Sequence, residues 1–222
     1  MNTATKIHLS KLETELVQNS EWILTKHSII NKVYQLFGEM LTIYKEVSQQ
    51  QTFPIIDSYK HLGGKISKGE NYQGLPYVML DYPASFTKEN IFAIRTFFWW
   101  GNFFSISLHL SEKKFLAKKN LSKIFLFLKE NKFYICVNEN EWQHNFEAAN
   151  YINTSDLSEN SFKEILKKDF FKISKKLELN KWDEALEFLK GTFEEIIEFL
   201  KISFPTGEKD PLPGFPKAGS GL

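Results

Sequence analysis

Residues 92–110 read FAIRTFFWWGNFFSISLHL, and every other assignment along the chain hangs on how this run folds. Seven aromatic rings surround Gly101-Asn102, and Arg95 is the single arginine of the protein. Gly-Asn between two β-prone runs predicts a hairpin with a two-residue turn. That turn sets Trp99 opposite Phe104, Phe97 opposite Ile106 and Arg95 opposite Leu108 on an apolar face. The other face then carries Thr96, Phe98 and Trp100 beside Phe103, Ser105, Ser107 and His109, half aromatic and half small-polar. The first face is expected to pack on helices. The second is either closed by another element or an open platform, since serines beside rings leave space and hydrogen-bonding groups of the kind small-molecule pockets use. A helix over 88–97 competes, because Ile91, Ile94, Arg95 and Phe98 also fit a helical period.

Upstream, PYVMLDYP alternates as a strand, with Val78, Leu80 and Tyr82 on one side and Tyr77, Met79 and Asp81 on the other. Residues 49–76 are rich in glycine and proline and read as a long loop that hides short strand pieces. Helices are expected over 10–19 and 21–48, the second capped by Ser20 and striped by Ile29, Ile30, Val33, Leu36, Phe37, Met40, Leu41, Tyr44 and Val47. Downstream come a helix capped by Asn120 or Ser122 and running to Glu130, and a strand in KFYICVNE. Weaker strands are expected in EWQHNF and ANYINT, then a helix over 159–168, a strand in FFKISKKLEL and a helix over 181–202. This order predicts an α+β fold, an antiparallel β-sheet with helices packed mainly on one face, an N-terminal helical hairpin and a C-terminal helix. Residues 1–204 read as one domain, and 205–222, PTGEKDPLPGFPKAGSGL, as a Pro/Gly-rich tail.

The bulk numbers narrow the function. The 222 residues carry 28 basic and 27 acidic side chains, without the basic excess of a nucleic-acid binder. No run approaches the roughly 18 apolar residues of a spanning helix, so no membrane partner is expected. The lone Cys136 forms no intrachain disulfide and points to a reducing cytoplasm, where it serves as a small buried hydrophobe. The five histidines show no metal-ligand spacing, and no phosphate-loop, dinucleotide or nucleophile-elbow motif occurs, so no metal or cofactor is expected.

Arg95 stands against 27 lysines, a bias that low-G+C coding produces. An arginine that survives such drift is expected to do what lysine cannot: fork onto a carboxylate or phosphate, or stack on a ring. It is either a buried arginine–carboxylate pair tying the hairpin to a helix or an anion-gripping residue in a pocket. Asp81 and His109 could share the semi-polar face as a base and its orienter. The candidate binding residues are therefore Tyr72, Tyr77, Asp81, Arg95, Trp100 and His109. The leading expectation is a non-catalytic domain that binds a small anionic or aromatic ligand, or a protein partner, through the aromatic sheet face. One alternative is an enzyme acting through Asp81, His109 and Arg95. The other is an assembly module whose tail around PLPGFP docks on a neighbouring copy.

Overall fold

The hairpin forms, one residue out of the expected register. Strand β3 (Ile91–Trp99) pairs antiparallel with β4 (Phe103–Ser111), setting Trp99 opposite Phe103, Phe97 opposite Ser105 and Arg95 opposite Ser107. The loop holds three residues. Asn102 N donates to Trp99 O at 3.0 Å, and Gly101 takes φ +71, the left-handed value the third turn position demands of glycine. A one-residue slip moves a whole strand to the opposite face. Ile94, Thr96 and Phe98 therefore look toward the helices, and Arg95, Phe97 and Trp99 lie on the second face, the reverse of the expected sorting of this strand. The sorting of β4 stands. The expected register would press Arg95 between Ile106 and Leu108 in the main core, where an unpaired charge costs several kcal/mol. Among the described residues of the expected helix over 88–97, none is helical: Ile91 onward is strand β3.

The computed structural model describes residues 7–87, 90–111 and 121–204. The expected tail over 205–222 and the candidate cap Asn120 lie outside them. Among the described residues, α1 (Lys11–Gln18), α2 (Ser20–Gln49) and α3 (Pro54–Tyr59) precede a meander of β1 (Lys65–Tyr72), β2 (Leu75–Phe86), β3 and β4. Then follow α4 (Leu121–Glu130), β5 (Tyr134–Cys136), β6 (Tyr151–Asn153), α5 (Glu159–Ile165), β7 (Phe170–Glu178) and α6 (Ala185–Ser203). The seven strands make one antiparallel sheet in the order β1-β2-β3-β4-β7-β5-β6. This is the α+β architecture expected, with N-terminal helices and a C-terminal helix.

Several local assignments shift. Asn19, not Ser20, caps α2, its side chain accepting from Trp22 N at 3.1 Å. EWQHNF is irregular rather than a strand. The last helix starts at Ala185 behind a 3-10 segment over Leu179–Glu184. The glycine-rich region before β2 holds α3, opened by Pro54 in its first turn, and β1. β1 and β2 are joined by Gln73-Gly74, both at positive φ, as a tight hairpin turn requires.

One face of the sheet meets α2, α3, α4 and α6. Val78, Leu80, Phe98, Phe104, Ile106, Leu108 and Ile173 pack there against Phe37, Tyr44, Phe193 and Ile196. Tyr44 stacks on Phe193 at 4.0 Å, and its buried hydroxyl pairs with Thr96 Oγ1 at 2.9 Å. The second face carries a smaller cluster, with Phe97, Trp99 and Phe103 packed by Tyr72, Leu75, Tyr77, Met79 and Phe146. The Tyr77 ring lies flat over Gly69 of β1, where a Cβ would come within 2.5 Å of it.

Candidate functional site

The second face is roofed. The segment between β5 and β6, residues 137–150, crosses it without regular structure, so its backbone polar groups need partners from the sheet. Lys172 of β7, 2% exposed, donates through Nζ to Glu141 O at 2.8 Å and Gln143 O at 2.6 Å. The Tyr72 hydroxyl, at the end of β1, accepts from His144 N at 2.7 Å and Asn145 N at 3.1 Å. Lys168 Nζ holds Val137 O and Asn138 O. Side chains descend from the roof as well. Phe146 inserts among Phe103, Tyr134 and Tyr151, and the His144 ring lies 4.9 Å from Phe97.

One ion pair and one histidine–carboxylate hydrogen bond lie beneath. Arg95 forks onto Asp81, Nε to Oδ1 at 2.7 Å and Nη2 to Oδ2 at 3.0 Å, with side chains only 13% and 11% exposed. Arg95 and Asp81 are direct partners in the β2–β3 ladder, so the sheet register presents them to each other, and the pair ties β3 to its neighbouring strand rather than to a helix as expected. Nη1 reaches His144 Nε2 at 3.4 Å, and the guanidinium lies 5.6 Å from the Phe86 ring. His109 Nε2 lies 2.8 Å from Glu141 Oε2. Burial, then the charges of Lys172 and Arg95, pull His109 down to about 3, and the same causes hold His144 well below its usual value. Both rings are therefore neutral at neutral pH, and His109 donates Nε2–H to the Glu141 carboxylate. Burial also pushes Glu141 up, against the pull of Lys172. Burial lowers Lys172 to about 8, with Arg95 adding to the shift and Cys136 and Glu141 opposing it. Lys172 thus keeps its proton, and its donors, near neutrality.

Five of the six candidate residues share this face: Tyr72, Tyr77, Asp81, Arg95 and His109. Trp100 does not. The three-residue turn tips it back onto the helix side, where it packs edge-on to Phe98 at 6.3 Å. Nor do Asp81 and His109 form a dyad. Both Asp81 oxygens are taken by Arg95, and His109 turns to Glu141. The residues that sequence reasoning missed are Lys172, Glu141 and His144. Lys172 carried a faint signal: Phe171, Ile173 and Leu177 claim one side of β7, which leaves Lys172 and Ser174 on the other. Replacing Tyr72 by phenylalanine keeps the ring packing and removes the oxygen that holds the roof. The expected cost is about 1–3 kcal/mol. Amide exchange at residues 144 and 145 should accelerate ahead of the rest of the sheet, and unchanged protection there would contradict the role given to this hydroxyl.

The face opens at the hairpin tip. There a shallow depression of about 320 Å³ is floored by Trp99, Phe103 and Phe146 and edged by Asn145, Lys176 and Glu178. Lys176 Nζ lies 5.8 Å from the Phe103 ring and 5.7 Å from Phe146, and 2.8 Å from Glu178 Oε1. No group of three or more His, Cys, Asp or Glu among the described residues is placed to hold a metal ion, and no helix there is long and apolar enough to cross a membrane. Compared with protein-family models, curated proteins and solved structures, the chain matches none.

Proposed function

We propose that this chain is a non-catalytic binding domain that takes a small aromatic anion on the second face of its sheet, in the depression at the hairpin tip. The observation that carries this reading is the composition of that depression. Three rings, set edge to face, line its base, and one lysine stands over two of them. A volume of about 320 Å³ lies at the small end of the range ligand sites occupy. A ligand ring packs against Phe146 and the exposed edges of Trp99 and Phe103, and its carboxylate or phosphate takes Lys176 from Glu178. Asn145 adds a neutral hydrogen-bonding group. The enzyme reading has less support, because Asp81 and Arg95 are bonded to each other and His109 to Glu141, rather than offered to a substrate. The buried free thiol of Cys136 agrees with a reducing, cytoplasmic setting.

Thermal-shift screening against benzoate, indole-3-acetate, phenyl phosphate and inorganic phosphate tests the proposal. At least one aromatic anion is expected to raise the melting temperature at millimolar concentration. Lys176→Ala should weaken its binding about tenfold or more, the loss of one charge-assisted hydrogen bond. No stabilisation by any of the aromatic anions, or equal binding by the variant, overturns it.

A further inference from the structure

Seven large apolar side chains, Ile7, Leu9, Leu12, Leu16, Val17, Trp22 and Leu24, are 40–95% exposed, against three in all the other described residues. They belong to an arm. No residue of α1 is buried, and the first buried residue of α2 is Ile30. The arm is nonetheless locally specified. Ser10 and Glu13 close a reciprocal capping box on α1, and Asn19 caps α2. Leu12 and Leu16, four residues apart, share a face with Val17 beside them, and Lys11, Thr14, Glu15 and Gln18 occupy the opposite side. Trp22 stands on the stripe that Val33 and Met40 bury further along α2, beyond the point where the sheet lies beneath it. An eight-residue helix is marginal in water by itself, and its stability ordinarily comes from covering an apolar face.

We infer that the occupant of this face is a second copy of the chain, its arm laid against the first by a two-fold axis. Without Leu24, which is two positions from Trp22 and so on the opposite side of α2, the other six side chains present on the order of 700 Å², close to what each partner contributes to a standard interface. A two-fold contact requires only that a patch complement itself, which an aliphatic stripe does. The charges do not oppose the pairing. Lys11 lies 3.9 Å from Glu15 on its own helix, Glu13 is turned to Ser10 N at 2.6 Å, and the whole chain carries a net charge of only +1. The same mixed charges give no basic excess for nucleic acid or an anionic lipid surface. The arm and the tip depression are built from different elements, so either proposal can fail without the other.

Sedimentation equilibrium of the full chain decides the matter. The wild type is expected at twice the 26.0 kDa chain mass. L12E/L16E, altered at exposed positions, is expected at the monomer mass with an unchanged circular dichroism spectrum. A monomeric wild type overturns the inference, whether or not it then sediments with lipid vesicles. So does a variant that remains dimeric. If the double variant fails to fold, the single change V17E supplies the same comparison.

Discussion

Asp81→Ala is expected to lower the free energy of unfolding by about 3–5 kcal/mol, the cost of stranding one member of a buried pair. The magnitude follows from burial. Arg95 and Asp81 are each close to nine-tenths covered, and the carboxylate satisfies the guanidinium at 2.7 and 3.0 Å. What remains in the variant is a 3.4 Å contact to His144 and the face of Phe86, neither of which neutralises the charge. Arg95→Lys keeps the charge and loses the fork, and should cost less than removal of the carboxylate but clearly more than a surface change. Asp81→Leu with Arg95→Met removes both charges together and should lie much nearer wild type than either stranding variant. Urea titration of the set gives the answer. Wild-type stability for both Asp81→Ala and Arg95→Lys would mean that water reaches the pair freely and that the roof does not close the face.

Acid is expected to destabilise the protein steeply below pH 6.5. The folded state holds His109 at about 3 and His144 well below its usual value, and the unfolded chain protonates both near 6.5. The unfolded state therefore binds more protons, and stability falls as the pH drops through that window; above 6.5 neither ring contributes. Each pH unit is worth about 1.4 kcal/mol per histidine, so His109 alone removes about 5 kcal/mol by pH 3. Glu141 works in the opposite sense, because its raised carboxyl takes its proton in the folded state first, but it is partly exposed and its effect is smaller. Lys172 acts only between about 8 and 10.5 and leaves the acid limb untouched. His109→Gln keeps a donor for Glu141 and should remove about half of the acid slope between neutral pH and about pH 4. An acid limb unchanged by this substitution would show that His109 titrates freely in the native protein.

The parts of the fold that were legible in the sequence are those with one wet side. In α2 and α6 the apolar stripe repeats because the other face meets water, and in β2 Val78, Leu80 and Tyr82 are fully buried while Tyr77 and Met79 on the second face stay partly exposed. β3 and β4 are buried on both faces over almost their whole length, so no alternation marks which side is core. Their sorting then rests on one residue of turn length, and Trp100 in place of Asn102 as a central turn residue reverses it for β3. β1 was hidden for the converse reason: as an edge strand of mostly polar residues it carries little apolar pattern. The roof was not legible at all. It is irregular chain held by Tyr72 and Lys172, which lie far from it in sequence, and a lysine between Phe171 and Ile173 reads as solvent-facing until something covers it. The rarity of Arg95 pointed to a fork or a stacked ring without choosing among carboxylate, phosphate and aromatic partners; that it grips Asp81 on the neighbouring strand, and not a helix, follows only from the β2–β3 register.

The central claim is that the roof seals the polar middle of the second face and leaves its aromatic end, at the hairpin tip, as the place where a ligand binds. Mapping backbone amide shifts during titration with the aromatic anion that gives the largest thermal stabilisation tests this most directly. The predicted result is a set of perturbations confined to residues 99–103, 145–147 and 176–178, with the amides of Asp81, Arg95 and His109 unmoved. Perturbations centred instead on Arg95, His109 and Glu141, or spread over the helices with the tip silent, would contradict it.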